Sequence, residues 1–385
     1  MQPKHLRRIT YAFAFFVTLH VALITYINSN ALARIVGQNH VDIVYTGGFL
    51  IALVFLLVLP RLLRNNGDVR TTLALIVLQI GTLCGLAFFP ASPLFVFFFL
   101  IQLIIPPLLY LDIDVFLEHA TKDETTGRTR GAFLTFLNVA FLISPLITGF
   151  VLGQGEVYSL VYLLSAGVLL PALALILVAF KHFKDPPYRH IEIVDGIRKV
   201  VASKNLRGIF ISNFLLRCFF AVMTIFMPLY LHSELQLPWI TIGGLFTVML
   251  LPFVLFEYPL GRLADTRFGE KEILACGFFV MASATALIPF IPASALVLLS
   301  ITLFMTRVGA SALESMNDTF FFKHVSETDT ETIALFRMFE PLSYIIAPLL
   351  AGLVLVFIDI RFIFLVLGAV MTLGIPVALG LRDTR

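Results

Sequence analysis

Long apolar runs, each broken off by a short polar or charged stretch, set the pattern of this chain from end to end. Twelve runs are long enough for a membrane-spanning helix, which needs about 20 mostly apolar residues. They fall at 9–29, 41–60, 71–90, 93–114, 131–153, 157–180, 207–231, 240–260, 271–290, 293–316, 332–357 and 360–381. None alternates apolar and polar positions as the strands of an outer-membrane barrel do, so all are predicted as helices. The fold class expected is all-α and integral to a membrane.

The polar stretches on the two sides of these runs differ in charge. The side of the N-terminus holds Lys4, Arg7 and Arg8, then Arg61, Arg64 and Arg70, then Lys122, Arg128 and Arg130. Further along it holds Lys181, Lys184, Arg189, Arg198, Lys199, Lys204 and Arg207, then Arg262, Arg267, Lys271, Lys323, Arg382 and Arg385. The opposite side has only Arg34 and Arg361. Lys and Arg accumulate on the cytoplasmic side. Both termini are therefore expected in the cytoplasm, with the chain in a cell inner membrane of bacterial type. The net charge of +3 then reflects topology and implies no nucleic-acid partner.

Composition agrees, with 59% hydrophobic residues and a mean hydropathy of +0.96, well above a soluble globular chain. The basic start MQPKHLRR imitates a signal peptide but lacks a cleavage site, so it reads as the lead-in to an uncleaved first helix. Cys84, Cys218 and Cys276 all fall inside spans without metal-type spacing, and buried structural thiols are expected.

The longest cytoplasmic stretch divides the spans six and six. The domains expected are residues 1–180, a linker at 181–206 and residues 207–385. Within the linker, Ile193, Ile197 and Val201 share one helical face with basic residues elsewhere. That pattern suits an amphipathic helix on the inner membrane surface, or a linker helix packed on the bundle. The two halves look like a repeat. AFLTFLNVAFLISPLITG (Ala132 to Gly149) aligns without gaps onto LFRMFEPLSYIIAPLLAG (Leu335 to Gly352), matching Phe133 with Phe336, Phe136 with Phe339, Pro145 with Pro348 and Gly149 with Gly352. With one residue inserted, Asp114 aligns with Asp318. Parallel six-helix halves with a site near the midplane are a transporter architecture.

Between the eighth and ninth spans lies GRLADTRFGEK, Gly261 to Lys271, with five charges in eleven residues. Together with twelve helices split six and six and a long central loop, it resembles the signature loop of the major facilitator superfamily, G-x-L-a-D-r-x-G-r/k. The resemblance covers essentially the whole chain. In that family the loop joins helices 2 and 3 and recurs, usually weaker, between helices 8 and 9. Here the 8–9 copy is intact, whereas the 2–3 copy has Pro60 for the first glycine and Arg64 for the aspartate. The resemblance implies a cytoplasmic latch: Gly261 and Gly269 allow close approach, Asp265 faces a helix N-terminus, and Arg267 and Lys271 reach an acid on helix 10, for which Asp318 is the candidate. In the first half Asp114 would play that part, with Arg64 or Arg70 as partner.

Charges inside spans are costly and mark functional sites. On helix 10, Arg307, Ser311, Glu314 and Asp318 are spaced by 4, 3 and 4, which forms one stripe. Helix 7 adds Arg217, helix 11 adds Arg337 and Glu340, and helix 8 adds Glu257. Glu257, Glu314, Arg337 and Glu340 read as a gating ion-pair cluster, with Glu314 also a candidate for proton coupling. Helices 7 and 10 line the central cavity in the family that the chain resembles. Arg217 and Arg307 are therefore candidate substrate contacts, suited to an anionic or carboxylate-bearing solute, unless they pair with Glu314 or Glu340. In the first half, His20 is a candidate for substrate contact or proton coupling, Asn28 for substrate contact at a polar rim towards the outside, and Asp112 for a protonation site.

The function expected is secondary active transport of a small organic solute by alternating access, coupled to protons, by a monomer whose other partner is the lipid bilayer. The thirty-nine phenylalanines, among them Phe95 and Phe97 to Phe99, leave open efflux of hydrophobic drugs, and a sensor that keeps the fold without transport is the reading from another class. No Walker-type phosphate loop, H-E-x-x-H or G-x-S-x-G occurs, so neither ATP-driven pumping nor enzymatic chemistry has its parts. No cofactor or metal is implied.

Overall fold

The computed structural model describes residues 3–119, 126–180, 193–256, 259–260, 269–325 and 329–382. Helix is the only regular secondary structure among them. The elements of the first half are α1 (Pro3–Thr25), α2 (Asn28–Val36), α3 (Val41–Asn66), α4 (Asp68–Phe88), α5 (Leu94–His119), α6 (Thr126–Leu152) and α7 (Tyr158–Ala179). The linker contributes α8 (Ile193–Ala202). The second half holds α9 (Lys204–Leu229), α10 (Trp239–Leu255), α11 (Glu270–Leu287), α12 (Leu296–His324), α13 (Thr330–Leu355), α14 (Ile363–Thr372) and α15 (Gly374–Leu379). Ten of the described helical stretches are long and apolar enough to cross a bilayer, and two shorter apolar ones, Phe136–Leu152 and Trp239–Leu255, occupy the positions of the fifth and eighth spans.

Two spans are jointed where the sequence pattern predicts continuous rods. The first breaks at Tyr26 and Ile27, between α1 and α2, and the last breaks at Leu373, between α14 and α15. The first joint is followed directly by the polar run Asn28, Ser29 and Asn30, whereas the second lies within the last apolar run, where hydropathy gives no sign of it. Cys276 is exposed rather than buried, and Cys84 and Cys218 are half-buried.

The chain forms two compact units. The first is Met1–Arg189 with Pro238–Gly244, and the second is His190–Leu237 with Leu245–Arg385. The linker helix α8 thus belongs with the second unit.

Matching residues of the sequence repeat pack alike. In the first unit Tyr11 of α1 lies 6.0 Å from Phe133 and 5.6 Å from Phe136, ring centre to ring centre. In the second, Phe210 of α9 lies 5.4 Å from Phe336 and 5.2 Å from Phe339. Pro145 cannot donate a backbone hydrogen bond to the carbonyl of Phe141. The Ser144 hydroxyl donates to that carbonyl instead at 3.0 Å, which keeps α6 continuous in a solvent that offers no water. Four residues on, Gly149 meets Gly243 of the same unit: a Cβ built on Gly149 would lie 2.7 Å from the Trp239 carbonyl oxygen. Small residues there let two backbones touch.

Candidate functional site

Charged and polar side chains gather inside each unit. In the second, three helices converge on one cation. Arg217 of α9 sends Nη2 to Glu314 Oε1 of α12 at 3.2 Å and Nη1 to Glu340 Oε2 of α13 at 3.8 Å. The two acids outnumber the cation, and Asp318, one turn beyond Glu314 on α12, adds to the same field. Arg217 is also 5.8 Å from the centre of the Phe220 ring.

Arg307 of α12 is 2% exposed. Its guanidinium lies 5.0 Å from the Phe219 ring centre and 5.4 Å from that of Phe220, an arrangement worth about 2 kcal/mol when desolvated. Phe220 therefore stands between the two arginines. Below this layer the Ser212 hydroxyl donates to Asn317 Oδ1 at 2.7 Å. Lys323 forms an ion pair with Glu270, the first residue of α11, which is 1% exposed.

The first unit keeps its buried polar groups in three layers. In the first, Asn28 Nδ2 donates to Gln102 Oε1 at 3.4 Å and Asn28 Oδ1 accepts from the Tyr162 hydroxyl at 3.0 Å. In the second, the Gln79 amide donates to His20 Nε2 at 3.3 Å, and the Ser165 hydroxyl donates to the His20 carbonyl at 2.8 Å. An imidazole that accepts through Nε2 carries its proton on Nδ1 and is neutral in this arrangement.

The third layer holds Asp112 of α5, fully buried. Thr72 Oγ1 of α4 lies 2.8 Å from Asp112 Oδ2 and 2.9 Å from the Asp68 carbonyl oxygen one turn earlier. Asp112 Oδ1 makes no hydrogen bond among the described residues. A hydroxyl has one proton to give, and here two acceptors stand within reach of it.

The Major Facilitator Superfamily model matches residues 9–246 and 209–385 of the chain. The chain belongs to the major facilitator superfamily. This is a family of membrane transporters, so the chain is a transporter and not an enzyme. Its fold is similar to that of the nucleoside transporter NupG, with a TM-score of 0.77 at 14% identity over 97% of this chain and 98% of that one. A mutant of the same protein gives 0.78 at 14% identity, covering 97% of this chain and 99% of that one. A bacterial metal transporter gives 0.67 at 13% identity over 97% of each chain. No curated protein sequence matches.

Within this family frame the candidates sort as follows. The signature loop's Gly261, Asp265 and Arg267, with Glu257 before it, lie outside the described residues. Gly269 is described and buried. Lys271 pairs with Glu272 at 3.5 Å, and no ion pair joins Lys271 to Asp318 among the described residues. The described contact from the start of helix 9 to helix 10 is instead Glu270 with Lys323, because the acid at the helix start is buried and the cation at the far end of α12 reaches it. Arg64 and Arg70 are exposed and form no ion pair with Asp114 among the described residues. The buried acids there are Asp68 and Asp112. Arg337 is exposed and stands outside the cluster assigned to it. Arg217 supplies the cation for Glu314 and Glu340, so its charge is already matched. His20 and Asn28 are packed inside the first unit against helices 3, 4 and 6.

Sequence reasoning missed Gln79, Gln102, Thr72, Glu270 and Lys323. The two glutamines did carry a signal, since an amide mid-way along an apolar span needs a partner in the bilayer.

Proposed function

We propose that this protein is a proton-coupled secondary transporter of a small organic solute, working by alternating access in a cell inner membrane with both termini cytoplasmic. The observation that supports coupling is the burial of the Asp112 carboxyl, whose described hydrogen bonding is the single contact with Thr72. With Asp112 ionised, its Oδ2 accepts from Thr72 and its Oδ1 has no donor among the described residues, while the Asp68 carbonyl keeps its helical bond from the Thr72 backbone N–H in either case. With Asp112 protonated, its O–H donates to Thr72 Oγ1, the Thr72 O–H donates to the carbonyl, and both bonds are made. Leaving a buried charged oxygen without a donor costs more than the about 1–3 kcal/mol of a neutral acceptor, which favours the protonated form while this packing lasts. Movement of α4 against α5 would release the proton.

The substrate reading changes with the ion pairs. Arg217 faces two carboxylates, so the case for an anionic solute rests on Arg307 beside its two phenylalanines. A flat, neutral, hydrogen-bonding solute of the kind the nucleoside transporter carries is the second reading, favoured by the net negative charge around Arg217.

The test uses the purified protein in liposomes with a broad panel of nucleosides and organic acids. An inward proton gradient should drive accumulation in the wild type. Asp112→Asn keeps an amide that donates to Thr72, so it should retain gradient-free exchange and lose accumulation by about tenfold, the scale of 1.4 kcal/mol. Accumulation by Asp112→Asn equal to wild type would remove Asp112 from the proton path.

A further inference from the structure

Helix α8 has two faces with different surroundings. One is docked on the start of α13. Gly196 is buried there, and a Cβ built on it would lie 3.0 Å from the Glu331 carbonyl oxygen. Lys199 Nζ lies 2.8 Å from Asp329 Oδ1 and 3.9 Å from Glu331 Oε2. Asp329 in turn caps α13, accepting from the Thr332 backbone N–H at 3.3 Å. The opposite face carries Val194, Ile197 and Val201 at steps of three and four, and these are 62%, 45% and 59% exposed.

Two observations say what covers that face. First, α8 ends at Ala202, and only Ser203, the N-cap of α9, separates it from a helix that runs on into a membrane span. The apolar face is thus tethered by one residue to a membrane-spanning helix. Second, the charges beside it are basic. Arg198, Lys204 and Arg207 are exposed, and Asp195, the one acid of α8, forms an exposed ion pair with Arg198 at 3.3 Å. An apolar stripe flanked by Lys and Arg is the pattern of helices that lie in an anionic interface.

The geometry points to α8 as a lipid-binding helix: it lies in the headgroup layer of the leaflet where α9 begins, with Val194, Ile197 and Val201 at the acyl boundary and Arg198, Lys204 and Arg207 on anionic phospholipid headgroups. Its docked face carries the effect of that lipid, through Lys199 and Asp329, to the N-terminus of α13, the helix that bears Glu340. The inference needs only that the chain spans a membrane, and it stands or falls independently of proton coupling.

The test places one reporter on the exposed face. Trp239 is the chain's single tryptophan, so the full-length Trp239→Phe, Ile197→Trp protein emits from position 197 alone. It is reconstituted into phosphatidylcholine vesicles, with and without phosphatidylglycerol, containing lipids brominated at shallow or deep chain positions. The emission should shift to the blue and be quenched by shallow bromines more than by deep ones, as suits burial of about 5–10 Å, and more in the anionic vesicles. Emission at the wavelength of water-exposed tryptophan, unquenched in either vesicle, would overturn the assignment.

A second measurement does not depend on Trp239. Phosphatidylglycerol should raise the melting temperature of the otherwise native protein relative to phosphatidylcholine. That increment should disappear in the Arg198→Gln, Lys204→Gln, Arg207→Gln variant. An increment retained in full would overturn the headgroup contacts.

Discussion

The two units handle buried polarity in opposite ways. The second unit holds full charges in ion pairs: Arg217 with Glu314 and Glu340, and Lys323 with Glu270. In the first unit the described ion pair, Arg34 with Glu156, is exposed. Its buried groups are bonded through amides and hydroxyls, Gln79 to His20, Gln102 and Tyr162 to Asn28, and Thr72 to Asp112. Dipoles cost less to desolvate than charges. A unit built from them can be packed more dryly, and a proton gained or lost at Asp112 changes its charge where no ion pair among the described residues masks the change. A unit built from ion pairs resists change, because separating either partner leaves an uncompensated charge.

That contrast can be broken most forcefully at Arg217. Arg217→Met leaves Glu314 and Glu340 facing each other with no cation from α9. The expected loss in the free energy of unfolding is about 3 kcal/mol, the low end for a broken buried pair because Glu340 is largely exposed. Adding Glu314→Gln should restore most of it. Thermal unfolding of the two single variants and the double variant measures the coupling, and simple additivity would show that the pair is incidental.

His20→Leu in the first unit should cost less, about 2 kcal/mol, since it strands the Gln79 amide without stranding a charge. The companion Gln79→Leu, His20→Leu protein should recover part of that loss. A cost as large as that of Arg217→Met would mean that the imidazole carries charge after all. Glu270→Gln should cost about 1 kcal/mol, because Lys323 is 40% exposed and can turn to water.

The smallest effect belongs to Asp329→Asn, which keeps the cap on α13 and removes only the pairing with Lys199. Burial raises the Asp329 carboxyl, but hydrogen bonds from Lys199 and Thr332 outweigh it and hold the group below the usual carboxylate range. A depressed carboxylate stabilises above its ordinary pKa, and that contribution fades as pH falls through the lower folded value. Lys199 is raised, first by its hydrogen bond to Asp329. Its contribution is complete below the ordinary lysine pKa and fades as pH rises through the higher folded value. The wild-type melt should therefore exceed that of Asp329→Asn by a constant margin between about pH 5 and 9, with the margin shrinking in acid. A margin that grows in acid would contradict the pairing.

The helices and their number were legible because hydrocarbon is an unforgiving solvent that writes itself into twenty-residue runs. The repeat was legible in Phe133, Phe136, Phe336 and Phe339, whose packing partners Tyr11 and Phe210 occupy corresponding helices. The pairing of Arg217 with Glu314 and Glu340 was legible only as the alternative to solute contact, since three helices supply these residues and one-dimensional spacing orders only residues of the same helix. The loop pattern drew attention to Asp265 and away from the residue after its second glycine. Asp68 after Gly67 and Glu270 after Gly269 are both first in their helices and both buried. An acid in the first turn, beside the positive end of the helix dipole, was the signal to follow.

The placement of His20 has a consequence for how the chain is made. The span that holds it, Arg7–Thr25, is the least apolar of the ten long ones and precedes the other nine along the chain. Its two partners come from Gln79, 59 residues later, and Ser165, 145 residues later. Until both have been translated, the first helix must rest beside lipid, or beside the machinery that inserts it, with its polar side uncovered. The order of synthesis thus leaves the earliest helix the last to be finished, and ribosome-bound chains ending before α7 should expose position 20 to crosslinkers that the complete protein excludes.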